Sequence, residues 1–360
     1  MKFLVVSDRE YKKTNRGIDM ITYYLAEKKH SVDHLVFFTR KKCSAKQVNV
    51  NIRQFYTYDP IRLYYKIIQF IFPSFILLAY FRFLIKKQTP VDFSQYDYVV
   101  LESGLPIYFS LEISNKIIYR QSDPISICFN SNRRFYKSLE ENVIKKSVFV
   151  TSALNERFYP YEYKEKIIYF HSGFIPYQEL NTIHLEKQFI VMGGEIDLYL
   201  LKKMAKNYPE FKFSVIGIRN KKMLQKNIMF MGYLDFHNYQ KLLSSCFAVI
   251  IPFSKHYVRL LKQVSFTAKI LLPMYMGIPI LLKSYGSIIC TNLEKKLFVY
   301  KSHQEALTLL NKLTKEYEHV GSERMASKEA MDFLLPQTYE NRFKKLDEIF
   351  HRYLKSDIDN

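Results

Sequence analysis

The sequence predicts an α/β protein with two doubly wound domains, each a mostly parallel β-sheet with helices on both faces. Short apolar runs of the kind found in buried parallel strands alternate with helical patterns along most of the chain. This pattern lapses into polar, turn-rich sequence around residues 177–186 and then restarts, with glycines at the strand ends. The chain of 360 residues is also longer than one hydrophobic core usually serves, so we expect two domains.

The first half of the chain opens on a βαβ unit. A strand over 2–7 leads through a polar, basic loop to a helix that starts near Gly17, and a second strand covers 32–38. Further strands are predicted at 97–102, 116–120, 147–151 and 167–170. Parallel strands end at one edge of a sheet, and ligands of such sheets bind there. Gly17 is therefore a candidate for a close approach to a ligand, and close helix packing is the alternative interpretation.

The second half repeats the pattern. We predict strands at 189–192, 211–216, 228–230 and 248–252, with helices at 198–206 and 239–245. The stretch 265–282 reads as a short helix that carries Lys269, then Gly277 as a left-handed residue beyond the helix end, then a buried strand. Lys269 is a candidate ligand group, and a solvated lysine on an amphipathic helix is the alternative.

The predicted domains have the following bounds: an N-terminal domain over 1–178, a C-terminal domain over 187–335, and a final helix over 336–360. In this final helix, apolar residues at helical spacing predict that one face docks on the protein.

Composition narrows the function classes. Apolar residues make up 48% of the chain, which excludes a disordered protein. The four cysteines lie far apart without a CxxC motif, which argues against a zinc site or a disulfide framework and fits a reducing compartment. The opening residues are too short for a secretory signal, so we expect a cytoplasmic location. The formal charge of +20 predicts attraction to an anionic surface, whether nucleic acid, lipid headgroups or phosphorylated substrates.

Residues 61–87 form an unusual segment. Their apolar run at 70–81 is interrupted by Pro73 and is too short to span a bilayer. The segment contains five basic residues and no acidic one, and apolar and aromatic residues between cations are typical of the membrane interface. A buried pair of core helices with basic ends is the alternative. The predicted interface residues are Arg62, Lys66, Phe70, Phe72, Phe75, Tyr80, Arg82 and Lys86.

Several runs occur in the order and spacing of one superfamily. They are Gly17 with LAEKKHSV at 25–32, Gly193-Gly194, and Lys269 with Gly277 and Pro279. Through them the chain resembles the GT-B glycosyltransferases over nearly its whole length. The resemblance implies two Rossmann-like domains facing a cleft, with the acceptor on the first domain and a nucleotide sugar, a UDP-sugar, on the second. The donor contacts that it implies are Gly193, Gly194, Glu195, Gly217, Gly232, Phe253 and Lys269.

Two further assignments have structural alternatives. The resemblance implies that His171, with Gly17, lies on the acceptor side, and a purely structural histidine is the alternative. For Glu195, the alternative to a donor contact is that its side chain caps the following helix. In that case only the backbone amides of the turn contact the nucleotide.

The run Tyr119-Arg120-Gln121-Ser122-Asp123 resembles the Arg-x-Ser-Asp segment of the membrane-associated glucuronosyltransferase of xanthan assembly. This resemblance implies that Asp123 is the catalytic base of an inverting transfer. It also implies a bacterial enzyme of capsule or exopolysaccharide synthesis, peripheral on the inner face of the plasma membrane, which adds glucuronic acid to a polyprenyl-diphosphate-linked or other glycan acceptor. A helix N-cap or Asx turn before Pro124 is the structural alternative for Asp123.

The sequence departs from the superfamily pattern at two positions. Leu272 stands where many members have a Glu or Gln that holds the ribose or a donor hydroxyl, and Val264 stands at the glutamate position of the retaining enzymes. These departures favour inversion. No DxD pair follows a strand, so we expect neither a metal nor a cofactor, and nucleic acid is not among the implied partners. The alternative function is a catalytically silent GT-B-like protein that binds anionic lipid or nucleic acid; an epimerase would need a cluster of carboxylates and a histidine.

Overall fold

The chain divides into two compact units, residues 1–172 with 343–360 and residues 173–342. The computed structural model describes residues 1–12, 16–39, 44–58, 74–113, 116–123, 133–176, 185–218, 225–264, 266–285, 297–316 and 326–358. Each unit is built on one sheet of mostly parallel strands, which confirms the predicted fold class. The expected linker at 177–186 lies mostly outside the described residues.

The first unit contains an eight-stranded sheet among its described residues, in the order β3-β4-β2-β1-β5-β6-β7-β8. Its strands are β1 (Lys2–Ser7), β2 (Ser31–Thr39), β3 (Lys46–Asn49), β4 (Ile52–Tyr58), β5 (Tyr98–Glu102), β6 (Ile117–Gln121), β7 (Ser147–Ser152) and β8 (Ile167–Tyr169). Its helices are α1 (Gly17–Glu27), α2 (Ser74–Gln88) and α3 (Arg133–Lys146). The central strands are buried on both faces, as their apolar runs predict.

The second unit contains a six-stranded parallel sheet among its described residues, in the order β11-β10-β9-β12-β13-β14. Its strands are β9 (Gln188–Met192), β10 (Lys212–Ile216), β11 (Ile228–Gly232), β12 (Ala248–Ile251), β13 (Ile280–Lys283) and β14 (Leu297–Tyr300). Its helices are α4 (Leu198–Asn207), α5 (Phe236–Ser245), α6 (Lys255–Leu260), α7 (Leu271–Tyr275), α8 (His303–Glu316) and α9 (Lys328–Leu334). The final helix is α10 (Tyr339–Ile358), whose last sixteen residues with the two that follow belong to the first unit (343–360).

Both sheets reverse their winding direction beside their first strand. In the first unit the chain moves outward from β1 through β2 and β4 and then returns to β5, which pairs with β1 on its other side. In the second unit it moves from β9 through β10 and β11 and returns to β12. A reversal of this kind leaves a crevice at the carboxyl ends of the two strands, and ligands of open α/β sheets bind there.

The sequence pattern missed the hairpin of β3 and β4 at one edge of the first sheet. These strands pair antiparallel, and every residue of β3 is exposed. An edge strand without a buried face has no apolar alternation, so its sequence carries no strand signal. The prediction also lacks strand β14 and helices α3, α6, α8 and α9.

Helix α10 packs against the first sheet and helix α1, which confirms the predicted docking. The Phe350 ring contacts the rings of Phe3, Tyr24 and Phe149. Polar contacts surround this apolar patch: Asp347 accepts a hydrogen bond from the Tyr24 hydroxyl at 2.8 Å and forms an ion pair with Lys28. The helix is therefore part of the core of the first unit.

Gly17 and Arg120 fill one space at the carboxyl edge of the first sheet. The Arg120 side chain is fully buried, and its guanidinium donates to the Phe170 carbonyl. A Cβ at Gly17 would lie 2.5 Å from Arg120 Nη2 and 2.6 Å from Nε. A larger residue at the start of α1 would therefore have to displace a buried charged side chain.

We expect Gly17→Ala to lower the free energy of unfolding by about 1–3 kcal/mol, because the added methyl group overlaps the buried guanidinium of Arg120 and would displace it from the Phe170 carbonyl. Urea unfolding of the variant measures this loss. Gly194→Ala is the matched control, since a Cβ there meets nothing within 4 Å and should change stability little. Equal stability of the two variants would contradict the packing role of Gly17.

Candidate functional site

The turn after β9 is fixed at the crevice of the second sheet. Gly193 is buried, and a Cβ there would lie 2.5 Å from Ile196 Cγ2, so the turn requires glycine for close packing. Gly194 and Glu195 are exposed. The Glu195 carbonyl accepts from the Ser254 N–H at 3.1 Å, which joins the turn to the residues after β12. The turn thus presents backbone at the place where the winding reverses.

The structure separates the Glu195 side chain from the helix cap. Asp197 caps α4 by accepting from the Leu200 N–H at 2.9 Å, so this role does not fall to Glu195. A Glu195 carboxyl oxygen instead lies 3.4 Å from the Ser254 hydroxyl. Asp197 also lies 2.6 Å from His303 Nε2 at the start of α8.

Gly217 and Gly232 lie at the ends of β10 and β11 and have φ angles of +83° and +69°. Side chains other than glycine rarely adopt these conformations. The Gly217 N–H donates to the Gly232 carbonyl at 2.7 Å. Their position at strand ends agrees with the prediction, and the backbone geometry by itself accounts for both glycines.

Lys269 lies in a short 3-10 turn, Ala268–Ile270, immediately before α7. Because α7 leads into β13, its beginning lies on the side of the sheet where the strands end. Lys269 is half-buried, and its backbone N–H donates to the Thr267 hydroxyl at 3.4 Å. Gly277 has a φ of +63°, as predicted for the residue beyond the helix. Leu272 is fully buried and contributes to the core.

Phe253 is buried after β12, where its ring contacts the rings of Tyr257 and Tyr285. Its backbone forms an isolated antiparallel bridge with Ile196, which directly follows the Gly193–Glu195 turn. Its burial means that it acts on a ligand at most through its ring edge or its backbone.

Asp123 lies two residues beyond the end of β6 and is exposed. Its N–H and that of Ser122 both donate to the Ser103 hydroxyl, at 3.1 and 3.2 Å. Ser103 follows β5, so this hydroxyl ties together the ends of two neighbouring strands. The residues after Asp123 lie outside the described part of the chain.

His171 follows β8 and is buried. Its Nδ1 lies 3.2 Å from the Ser172 carbonyl oxygen. The preceding residue, Phe170, accepts from Arg120, which in turn packs against Gly17. Arg120 thus connects Gly17 with the residue that precedes His171, and this packing also fits the structural alternatives for both candidates.

A buried ionic cluster that the sequence analysis did not assign lies at the crevice of the first sheet. Ser7 ends β1 and Glu102 ends β5, and the Ser7 hydroxyl donates to Glu102 Oε2 at 2.6 Å. Arg16, just before α1, donates from Nη2 to the same oxygen at 3.0 Å and to the Ser7 hydroxyl at 2.9 Å. The Glu102 side chain is only 11% exposed. We call Ser7, Arg16 and Glu102 the Glu102 cluster.

Burial raises the pKa of Glu102 to about 7. Arg16 opposes this rise because it stabilises the charged carboxylate, whereas Asp8 and Asp19 add to it by repulsion. The carboxyl group therefore binds a proton at a higher pH than an exposed glutamate does. Strongly shifted carboxyl groups at the crevice of a sheet are typical of functional sites.

The sequence did contain a signal for this cluster. Ser7 and Glu102 are the polar residues that close two predicted buried strands, the runs KFLVVS and DYVVLE. What the sequence lacks is the information that these two strands are neighbours, since 95 residues separate them.

Helix α2 has one buried face and one exposed face. The buried face contributes Leu77, Phe81, Leu84 and Ile85 to the core of the first unit. The exposed face carries apolar and basic side chains: Phe75 (69% exposed), Ile76, Arg82, Phe83 (54%), Lys86 and Lys87. Of the other predicted interface residues, Tyr80 is half-buried, and Arg62, Lys66, Phe70 and Phe72 lie outside the described residues. Among the described residues, no helix has the length and apolar character needed to cross a bilayer.

Comparison with known proteins finds similar structures. No protein-family model and no curated protein matches the sequence. Sucrose-phosphate synthase from Thermosynechococcus elongatus is 10% identical, with a TM-score of 0.64 over 99% of this chain and 100% of that chain. A glycosyltransferase from Rickettsia africae ESF-5 is 13% identical, with a TM-score of 0.60 over 98% of each chain. HepE from Anabaena, solved in complex with UDP-glucose, is 10% identical, with a TM-score of 0.60 over 98% of this chain and 100% of that chain.

These structural neighbours are GT-B glycosyltransferases. At such low sequence identity the likeness shows the fold, which is the α/β fold with two parallel-sheet domains.

We expect Glu102→Gln to change how stability depends on pH. Between pH 4.5 and about 7 the folded wild-type protein holds a proton that the unfolded chain has released, so rising pH lowers its free energy of unfolding. Glu102→Gln has no carboxyl group to titrate at this position, so its free energy of unfolding does not decrease for this reason as the pH rises. Its free energy of unfolding relative to wild type should therefore increase by up to about 3 kcal/mol across this window. Urea unfolding at a series of pH values measures the difference.

His34→Asn provides the control of opposite sign. Burial lowers the pKa of His34 from 6.5 to about 4, so wild-type stability at this group rises with pH over that range. The stability of the His34 variant relative to wild type should then fall with rising pH. A difference for Glu102→Gln that stays constant with pH would contradict the raised pKa.

Proposed function

We propose that the protein is a glycosyltransferase that moves a sugar from a nucleotide donor to a glycan acceptor. The observation that carries this proposal is the Gly193–Glu195 turn, fixed at the crevice of the second sheet with exposed backbone and open space at Gly194. Backbone groups without a side chain allow a diphosphate to approach closely. The likeness to a protein solved with UDP-glucose supports a UDP-sugar as the donor.

The proposed reaction inverts the anomeric centre. The acceptor hydroxyl oxygen forms a bond to the anomeric carbon, the bond from that carbon to the diphosphate oxygen breaks, and the electron pair leaves with the diphosphate. The hydroxyl proton passes to a carboxylate, for which Asp123 is the candidate because it is exposed at the carboxyl edge of the first sheet. Inversion is also supported by Leu272 and Val264. Both residues are buried and apolar, and they stand at the positions where the retaining pattern has acidic or amide side chains.

Lys269 is the candidate for stabilising the leaving diphosphate. It is half-buried and lies at the start of α7, where cations and backbone N–H groups favour an anion. This role predicts that Lys269 affects donor binding, whereas Asp123 affects the transfer of the proton.

The acceptor is proposed to be a lipid-linked or surface glycan at an anionic membrane surface. Helix α2 supports this assignment, because its outward face combines exposed phenylalanines with Arg82, Lys86 and Lys87. We propose peripheral binding at the cytoplasmic face of the plasma membrane. The xanthan-type resemblance of the run ending in Asp123 supports glucuronic acid as the sugar, within bacterial capsule or exopolysaccharide synthesis.

We expect Asp123→Asn to abolish sugar transfer while the dissociation constant of the nucleotide sugar stays within about twofold of wild type. Lys269→Ala should instead weaken donor binding by about tenfold or more, since it removes a cation from the diphosphate. Radiolabelled nucleotide sugars, followed as transferred product and as slow hydrolysis, measure both effects, and donor affinity is measured by thermal shift.

The matched controls are Asp92→Asn and Lys212→Ala, two exposed residues that precede β5 and begin β10, at the opposite ends of the strands. Both should retain wild-type activity. Transfer by Asp123→Asn within about tenfold of wild type would contradict its role as the base. If wild type turns over no nucleotide sugar, the protein is a silent GT-B-like binding protein, and an epimerised donor would identify an isomerase.

We expect Lys86→Gln with Lys87→Gln to weaken binding to vesicles of phosphatidylglycerol and phosphatidylcholine. Each lysine near an anionic surface contributes about 1 kcal/mol, so the partition coefficient should fall by about tenfold to thirtyfold. Phe83→Ser should weaken binding further by removing an inserted ring. Flotation with the full chain measures the bound fraction.

The control is Lys202→Gln with Lys203→Gln, an exposed pair on α4 that gives the same change in net charge. This variant should float like wild type. Equal losses for the two lysine pairs would show attraction by overall charge and would contradict a specific role for α2.

A further inference from the structure

The crevice of the first sheet contains the Glu102 cluster, and no role in sugar transfer has been assigned to it. We propose that the Glu102 carboxylate binds a hydroxyl group of the glycan acceptor, with Arg16 and Ser7 holding the carboxylate in place. This inference rests on the proposed function, because it assigns the acceptor side of the same reaction.

The two oxygens of Glu102 differ in their hydrogen bonding. Oε2 accepts from the Ser7 hydroxyl at 2.6 Å and from Arg16 Nη2 at 3.0 Å. Within the described part of the chain, Oε1 has one contact, with Arg16 Nη2 at 3.4 Å. A carboxylate oxygen accepts about two hydrogen bonds, so Oε1 has capacity for a donor that the fold does not supply.

A second buried carboxylate in the same sheet shows the contrast. Asp33 lies near the amino end of β2, where its two oxygens accept from Arg53 at 2.9 Å each. The Tyr96 hydroxyl adds a third hydrogen bond at 2.7 Å. This carboxylate is satisfied by the fold and lies far from the carboxyl edge. The sheet therefore holds a fully bonded carboxylate at one end and an incompletely bonded one at its crevice.

Charge and position favour a neutral polyhydroxyl ligand. Arg16 already pairs with Glu102 at 3.0 Å and with the buried Asp19 at 3.5 Å, and this excess of carboxylates over cations disfavours an anionic ligand. The cluster presents an acceptor and a donor next to each other, which suits neighbouring hydroxyl groups of a sugar. The Ser103 hydroxyl, adjacent to Glu102 in sequence, accepts from the Asp123 N–H. A hydroxyl held by Glu102 would thus lie at the end of β5, the strand end to which Ser103 ties the candidate base.

The test measures binding of methyl glycosides of glucose, galactose, mannose and glucuronic acid to the full chain by saturation-transfer NMR. We expect at least one glycoside to bind wild type with a millimolar dissociation constant. Glu102→Gln should weaken that binding by about tenfold or more, because the carboxylate hydrogen bond is lost. Ser7→Ala should weaken it less. The double variant should bind no more weakly than Glu102→Gln alone, because Ser7 acts through Glu102.

Asp33→Asn is the matched control, since it also neutralises a buried, arginine-paired carboxylate of the first sheet. It should leave glycoside binding unchanged while lowering stability. Binding of every glycoside within about twofold of wild type in Glu102→Gln, or no binding by wild type, would overturn the assignment. Equal weakening by Asp33→Asn would also overturn it by revealing a general loss of folding. None of these readouts requires donor turnover, so failure of the proposed transfer reaction is detected separately.

Discussion

The parallel pairing of β1 with β5 is the interaction on which the polar edge of the first unit depends. Val6 lies opposite Leu101 in this register, so the next residues, Ser7 and Glu102, end their strands together. This pairing brings a serine and a glutamate from positions 95 residues apart to 2.6 Å, and Arg16 then bridges the two side chains. The same pairing creates the reversal of winding that leaves space at this edge. The backbone hydrogen bonds between β1 and β5 thus determine both where the crevice lies and which polar side chains meet there.

The two sheets use equivalent crevices in different ways. In the second unit, glycines with an exposed backbone occupy the edge, and the buried Phe253 pairs with Ile196 beside them. In the first unit, ionic side chains occupy it at an energetic cost, because a buried charge pair is often less stable than apolar packing of equal volume. Arg120 adds a further buried charge next to Gly17. This difference is consistent with the proposed diphosphate site in the second unit and the proposed hydroxyl site in the first unit.

The sequence predicted most of the buried strands within one or two residues, because each one is a short apolar run that ends at a polar or glycine residue. It also predicted the positive φ of Gly277 and the docking of the final helix. It did not predict β3, whose residues are all exposed. It placed Lys269 on a helix, whereas the residue lies in a 3-10 turn just before one. The Glu102 cluster escaped notice because strand order is a property of the folded sheet, and no local pattern encodes which strands become neighbours.

The first unit is discontinuous in sequence, since residues 343–360 complete a body begun by residues 1–172. During synthesis the whole second unit therefore emerges from the ribosome before the final helix does. Only then can Asp347 and Phe350 cover the aromatic rings of the first unit, which are Tyr24, Phe3 and Phe149. Until then an aromatic surface of the nascent first unit remains uncovered, which is the kind of surface that chaperones recognise. The order of translation thus makes the unit that is made first the last to finish folding.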